Sequence, residues 1–390
     1  MTHPAPTANT SPEWKILLAA SSADGHGGKV EHLRALLNAP VEWNSVLRLA
    51  DQHGTSSLLY QNLASLVDLL PSAVLASLRQ SYERNIHKSL FLTRELIRIL
   101  DCLDGLGIEV IPYKGVVLSE VYYGDIALRR SGDMDLFVRK KDVGRIKNVV
   151  RELGYVPRVH IPEDAEWDYI KSGYECTFDS SAGKNLLELQ WALQPRFYAV
   201  DFDMEGIFER TLTVTVGGRT MKTPSAEDLV LILSMHAAKH VWGRLIWLCD
   251  IVQIARQENV NWDWIQSQAR QLGIERILRI TLLLMKSLLS APIPAPIESA
   301  VLSDEAAQIF SEQIAVSVAA GAVYEEEKVS YFRLMMRLRE RRIDRMRFLS
   351  RLTFTPGPGE WDAVRLPRLL FPFYRLVRLG RLGAKALRSG

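Results

Sequence analysis

Asp133 and Asp135 stand two residues apart in a β-prone run whose other members, Met134 and residues 136–138, are apolar. Side chains alternate across a strand, so both carboxylates project from one face while Met134 and Leu136 project from the other. Such a strand has one face for a core and one for water, a cation or a ligand. The residues upstream add to the constraint. An apolar run at 108–113 turns through Lys114-Gly115, a short amphipathic segment at 116–123 follows, and a loop carrying Arg129 and Arg130 leads to the two acids.

The patterns on either side are helical. Apolar residues recur at helical spacing at 14–18, 30–37 and 43–50, and Pro71 opens a longer pattern to about residue 103. After the central stretch, helix 141–153 ends at Gly154. Strands at 174–179 and 185–193 flank a turn at 180–184, and a last hairpin turns at Gly217-Gly218. Ser225, followed by Glu227 and Asp228, reads as a helix start, and helices continue at 245–257, 262–272 and 274–289. Pro292, Pro294 and Pro296 read as a linker before further helices. The expected fold is α+β, a small mixed sheet between helical regions. Its expected parts are a disordered tail at 1–12, an N-terminal helical region at 13–105 and a core at 106–223. A helical region at 224–291 closes a cleft, and helices with a basic tail fill 292–390.

The three cysteines, Cys102, Cys176 and Cys249, match no zinc or redox spacing. The first ten residues are polar, with no basic start leading into an apolar run, and no stretch of about 18 apolar residues is uninterrupted. These features set the expectation of a cytoplasmic protein.

Paired acids on a strand suit a divalent metal, and Mg²⁺, or Mn²⁺ in its place, takes hard oxygen ligands. Nucleotidyl transfer needs two or three convergent carboxylates with cations and backbone donors for the phosphates. Glu188 is the candidate third acid, a lone carboxylate within the mostly apolar run 186–191. Lys114 and Gly115 are candidates for phosphate binding, since glycine lets the backbone approach closely and the next helix N-terminus favours an anion. Arg129 could reach a phosphate from its loop.

The order of these features resembles the polymerase-beta-type nucleotidyltransferase superfamily. More closely, it is similar to the bacterial group called uncharacterised nucleotidyltransferases, which carries Lys-Gly where most relatives have Gly-Ser. That group shows an acid–apolar–His-Trp strand; here it is Glu188-Leu189-Gln190-Trp191, with glutamine for histidine. It also shows two histidines on a helix and then an Arg-Leu-x-Trp-x-x-Asp segment, here His236, His240 and residues 244–250, ending at Asp250. The resemblance implies transfer of a nucleoside monophosphate from ATP or another nucleoside triphosphate to an acceptor it does not identify: protein, peptide, metabolite or RNA. A non-catalytic scaffold of the same fold and an enzyme modifying nucleic-acid ends are the alternatives.

His236 and His240 share a helix face, but Ala237 stands where a zinc protease would carry glutamate. They read as structural histidines packing on Trp242 and Trp247, or as a cleft wall where His240, Lys239 and Arg244 meet phosphates. Charge is uneven along the chain. Residues 331–390 carry 15 Lys/Arg against 4 Asp/Glu, a net of +11, which leaves −8 for the rest of a +3 chain. Arginines and lysines interleaved with apolar residues over 365–388 read as a basic amphipathic helix. It packs on the protein, touches the inner face of the membrane peripherally, or holds nucleic acid.

Overall fold

A computed structural model of the chain describes residues 11–159, 163–180, 186–321, 329–355, 364 and 373–388. Of the expected disordered tail at 1–12, residues 1–10 lie outside them, as do residues 181–184 of the expected turn, the first residue of the strand expected at 185–193, and the tail residues 365–372. Helices α1 (Pro12–Ser21), α2 (His26–Leu36), α3 (Trp43–His53) and α4 (Ser56–Leu63) form the first layer and lead to α5 (Ser72–Asp104). With 33 residues α5 runs about 50 Å. Its C-terminal half buries Leu92, Leu96, Ile99, Leu100 and Leu103 at helical spacing, while Val74 and Leu78 pack into a different cluster.

The sheet follows, built from β1 (Val110–Pro112), α6 (Val116–Tyr123), β2 (Asp133–Val138), α7 (Val143–Glu152), β3 (Tyr155–Pro157), α8 (Glu163–Ser172), β4 (Glu175–Ser180) and β5 (Leu186–Gln190). Its order is β1-β2-β5-β4-β3, with β2 and β5 parallel and the other pairs antiparallel. Alternation assigns the two faces. Met134, Leu136, Val138, Leu187 and Leu189 join α5 and α7 in one apolar cluster, and Asp133, Asp135, Glu188 and Gln190 take the other face.

A short helix α9 (Met204–Glu209) precedes the hairpin β6 (Thr211–Val216) and β7 (Arg219–Pro224). Gly217 and Gly218 turn it at φ 57° and 79°, a left-handed pair that side chains resist. The hairpin forms a two-stranded sheet of its own rather than extending the five-stranded one. Then come α10 (Ala226–Lys239), α11 (Leu245–Ala255), α12 (Trp262–Leu272), α13 (Glu275–Leu289), α14 (Ala295–Leu302), α15 (Glu305–Ala319), α16 (Val329–Arg337), α17 (Arg342–Phe354) and α18 (Tyr374–Arg388). Ser225 caps α10 by accepting the Asp228 amide hydrogen.

The proline run is less of a linker than its composition predicts, because Pro294 is the N-cap of α14 and Pro296 sits in its first turn. Residues of α1 and α4 share one large core with α10, α11 and α13, Trp14 and Leu59 lying in the same cluster as Leu231 and Leu284. Among the described residues no helix is long and apolar enough to cross a membrane.

Candidate active site

The polar face of the sheet opens into a cleft of about 480 Å³ whose other wall is the end of α10 and the start of α11. Strand register brings the acids together. Asp135 lies beside Glu188 on the parallel neighbour β5, and Asp133 projects from the same face. Glu175, at the start of β4 and opposite Gln190, adds a fourth carboxylate that the sequence reading overlooked.

The acids burden one another. The Asp135 charge, then burial, raises Asp133 above the usual carboxylate range. Burial raises Asp135, with Glu188 adding to the effect and Lys114 opposing it. Burial and then Glu175 raise Glu188. Asp135 is 3% exposed, and among the described residues its buried Oδ2 has no hydrogen-bond partner. Lys114 Nζ stands 3.2 Å from Asp135 Oδ1. Burial alone would depress this ammonium, but Asp135 and further anionic neighbours outweigh it and hold the group charged.

Gln190, in place of the group's histidine, fixes the base of the site. Its Nε2 donates to Glu188 Oε2 at 2.9 Å and to Glu175 Oε2 at 3.3 Å, while its Oε1 accepts from the Tyr113 hydroxyl at 2.5 Å. Tyr113 is held in turn by stacking on Phe137, centroids 3.8 Å apart.

The Lys114-Gly115 turn has a backbone reason. Gly115 sits at φ 60° and ψ −128°, and a Cβ there would meet the Asp133 carbonyl oxygen at 3.1 Å. Gly115→Ala is therefore expected to cost about 1–3 kcal/mol in a urea titration and to displace the edge carrying Asp133. An unchanged midpoint would contradict this.

Two placements differ from the sequence reading. Arg129, expected on phosphate, is 7% exposed and donates through Nε to Asp250 Oδ1 at 2.8 Å, so a carboxylate 121 residues away already holds it. Arg129 still lines the cleft. The trio Asp133, Asp135 and Glu188 is not a ready-made metal cage: among the described residues no group of three or more His, Cys, Asp or Glu could hold an ion as the side chains stand. The Lys114 ammonium lies where positive charge is wanted. Mg²⁺ completes its shell with phosphate oxygens and water, so two carboxylates suit it, and the orphaned Asp135 oxygen beside mutually repelling acids fits such an ion.

The opposite wall is cationic. Lys239 and Arg244 reach the cleft with no carboxylate partner among the described residues; Lys239 lies over the Tyr174 ring and Arg244 over Trp247. His236 and His240, 4.9 Å apart, form a three-ring cluster with Trp247. Trp242, expected beside them, turns into the core and donates its indole N–H to Thr281 Oγ1. Burial, then Lys114 and the other cations around it, drives His236 well below its ordinary value, so it is neutral at pH 7. Val241 and Trp242 hold φ near +50°, strained values for side-chain-bearing residues, where the wall turns from α10 toward α11.

No curated protein matches this chain. Among solved structures it is similar to the solution structure of the antibiotic-resistance factor ANT(2'')-Ia. There the identity is 15% and the TM-score 0.30, over 52% of this chain and 95% of that one. A family model matches residues 39–290, which hold every acid and cation of the cleft, and by that match the chain belongs to the uncharacterised nucleotidyltransferases.

Proposed function

We propose that the protein transfers a nucleoside monophosphate group from a nucleoside triphosphate to an acceptor nucleophile, with Asp133 and Asp135 holding Mg²⁺, or Mn²⁺ in its place, and Glu188 beside them. The observation that supports this reading is the register of Asp135 with Glu188, with Asp133 on the same face and the cations Lys239 and Arg244 across one cleft. A bound divalent ion supplies positive charge to the phosphates as they reorganise.

The chain's own residues do the rest. Lys239, Arg244 and Lys114 bind the triphosphate, with His240 beside them and the Gly115 turn letting backbone approach. The acceptor oxygen bonds to the α-phosphorus as the bond from that phosphorus to the bridging oxygen breaks, and pyrophosphate leaves. Glu188 takes the acceptor proton. Its raised pKa brings it nearer the working pH, which suits a general base. Gln190 orients it, and neutral His236 adds no further charge to the phosphate wall.

The test is incubation of the protein with α-labelled ATP, CTP, GTP or UTP, Mg²⁺ and a cell lysate, beside calorimetric titration with each nucleotide. The expected result is Mg²⁺-dependent nucleotide binding and label on one class of acceptor, both lost in Asp133→Ala/Asp135→Ala. A wild-type protein that binds no nucleotide in the presence of Mg²⁺ would overturn the proposal and favour a binding or scaffold role.

A further inference from the structure

The C-terminal helices carry apolar side chains on their outer faces. On α17, Ile343 is 61% exposed, Met346 64% and Phe354 50%. With a 3.6-residue repeat these three fall in one arc of roughly 80°, bordered by Arg342 on one side and Arg347 on the other. Asp344 and Phe348, on the opposite face, are buried. Beside it, Phe373, Leu376 and Leu379 are 52%, 60% and 40% exposed, while Tyr374 and Arg378 of α18 turn inward. Arg378 Nε donates to the Leu352 carbonyl at 2.6 Å, so α18 is tied to α17 by its inner face and leaves its outer face open.

The charge on these helices has one sign. Residues 341–355 hold five arginines and a single acid, Asp344, which is buried and held by Arg341. No acid follows Asp362, whereas six arginines and a lysine do. Arg342 and Arg375 are exposed and have no carboxylate partner among the described residues.

Three occupants could be considered for such a face, and its chemistry separates them. Nucleic acid would use the arginines but has no use for Ile343 and Met346, because its backbone is read by cations and its bases by aromatic rings. A second copy of the chain would bring arginine rims of like charge together. An anionic bilayer uses both features, drawing the cations to its headgroups and taking the apolar side chains into the interface.

We propose that α17 and α18 form a docking face for an anionic lipid bilayer surface, lying on it rather than crossing it. This face lies outside the matched family region, and the inference stands whether or not the cleft transfers nucleotides.

The test is flotation of the full-length protein with vesicles of phosphatidylcholine, with and without phosphatidylglycerol. The wild type should float with the anionic vesicles alone. Ile343→Asp/Met346→Asp and, separately, Arg342→Glu/Arg375→Glu should each lower partitioning by at least about tenfold. All four positions are exposed, so the melting temperature and nucleotide binding should stay unchanged and show that each variant is folded. Failure of the wild type to float, or equal flotation of the Ile343→Asp/Met346→Asp variant, overturns the proposal. A vesicle-free dimer that this variant converts to monomer assigns the face to a second copy. Salt-sensitive RNA capture lost in the arginine variant alone assigns it to nucleic acid.

Discussion

Asp133→Asn is expected to lower nucleotidyl transfer by about 10³-fold or more while leaving the folded protein at least as stable as the wild type. The loss would follow from removing one of the two carboxylates proposed to hold the metal. The stability follows from electrostatics, because Asp133 is raised first by the charge of Asp135 and then by burial. Asparagine keeps the shape and removes the repulsion, while Lys114 keeps its contact with Asp135. Without divalent ions at pH 8, the variant should melt ~2 °C higher than the wild type.

The sign of the pH dependence is fixed by the same shifts. Asp133, Asp135 and Glu188 all have folded pKa values above their ordinary ones, so the folded chain holds these protons more tightly than the unfolded chain. The stability they contribute is present below the ordinary carboxylate range and is lost as pH rises through the raised values. Mg²⁺ should recover it above that window and have no effect below, where protons occupy the same oxygens. Melting curves across pH, with and without Mg²⁺, check this. A wild-type melting temperature that Mg²⁺ leaves unmoved at pH 8, together with undiminished transfer by Asp133→Asn, would remove the metal assignment.

What could be read before folding was whatever depends on near neighbours in the chain. Alternation alone places Asp133 and Asp135 on one face and Met134 and Leu136 on the other, which is how β2 is built. The helices at Val116–Tyr123 and Trp262–Leu272 have the predicted ends, since a glycine follows each at positive φ. The edge strand β3 was missed because three residues, one of them proline, carry no periodic signal. Pairing between distant residues was less legible. Nothing in the run around Gln190 says that its amide would hold Glu188 and Glu175 while accepting from Tyr113, because those contacts exist once β1, β4 and β5 are assembled. The pairing of Arg129 with Asp250 is a tertiary fact for the same reason.

That pairing makes the second large effect. Asp250→Ala is expected to destabilise the protein by about 3–5 kcal/mol, because it strands a buried guanidinium. The side chains of Arg129 and Asp250 are 8% and 0% exposed, and the Tyr123 hydroxyl donates to the same Asp250 oxygen at 2.8 Å. The pair joins α11, one wall of the cleft, to the loop that delivers Asp133. The Arg129 amide, held by Ser119 Oγ, anchors that loop from its other side. Arg129→Met/Asp250→Leu removes both charges at similar volume and should recover most of the lost stability, as buried ion pairs often exchange for apolar packing with little net cost. If Arg129 acts as a clamp on the site, transfer should return with stability to within about tenfold of wild type. Recovered stability with transfer still lost and KM for the nucleotide raised would give Arg129 the phosphate contact instead. The double variant therefore separates a residue that holds the cleft together from one that holds the substrate, which neither single substitution can do.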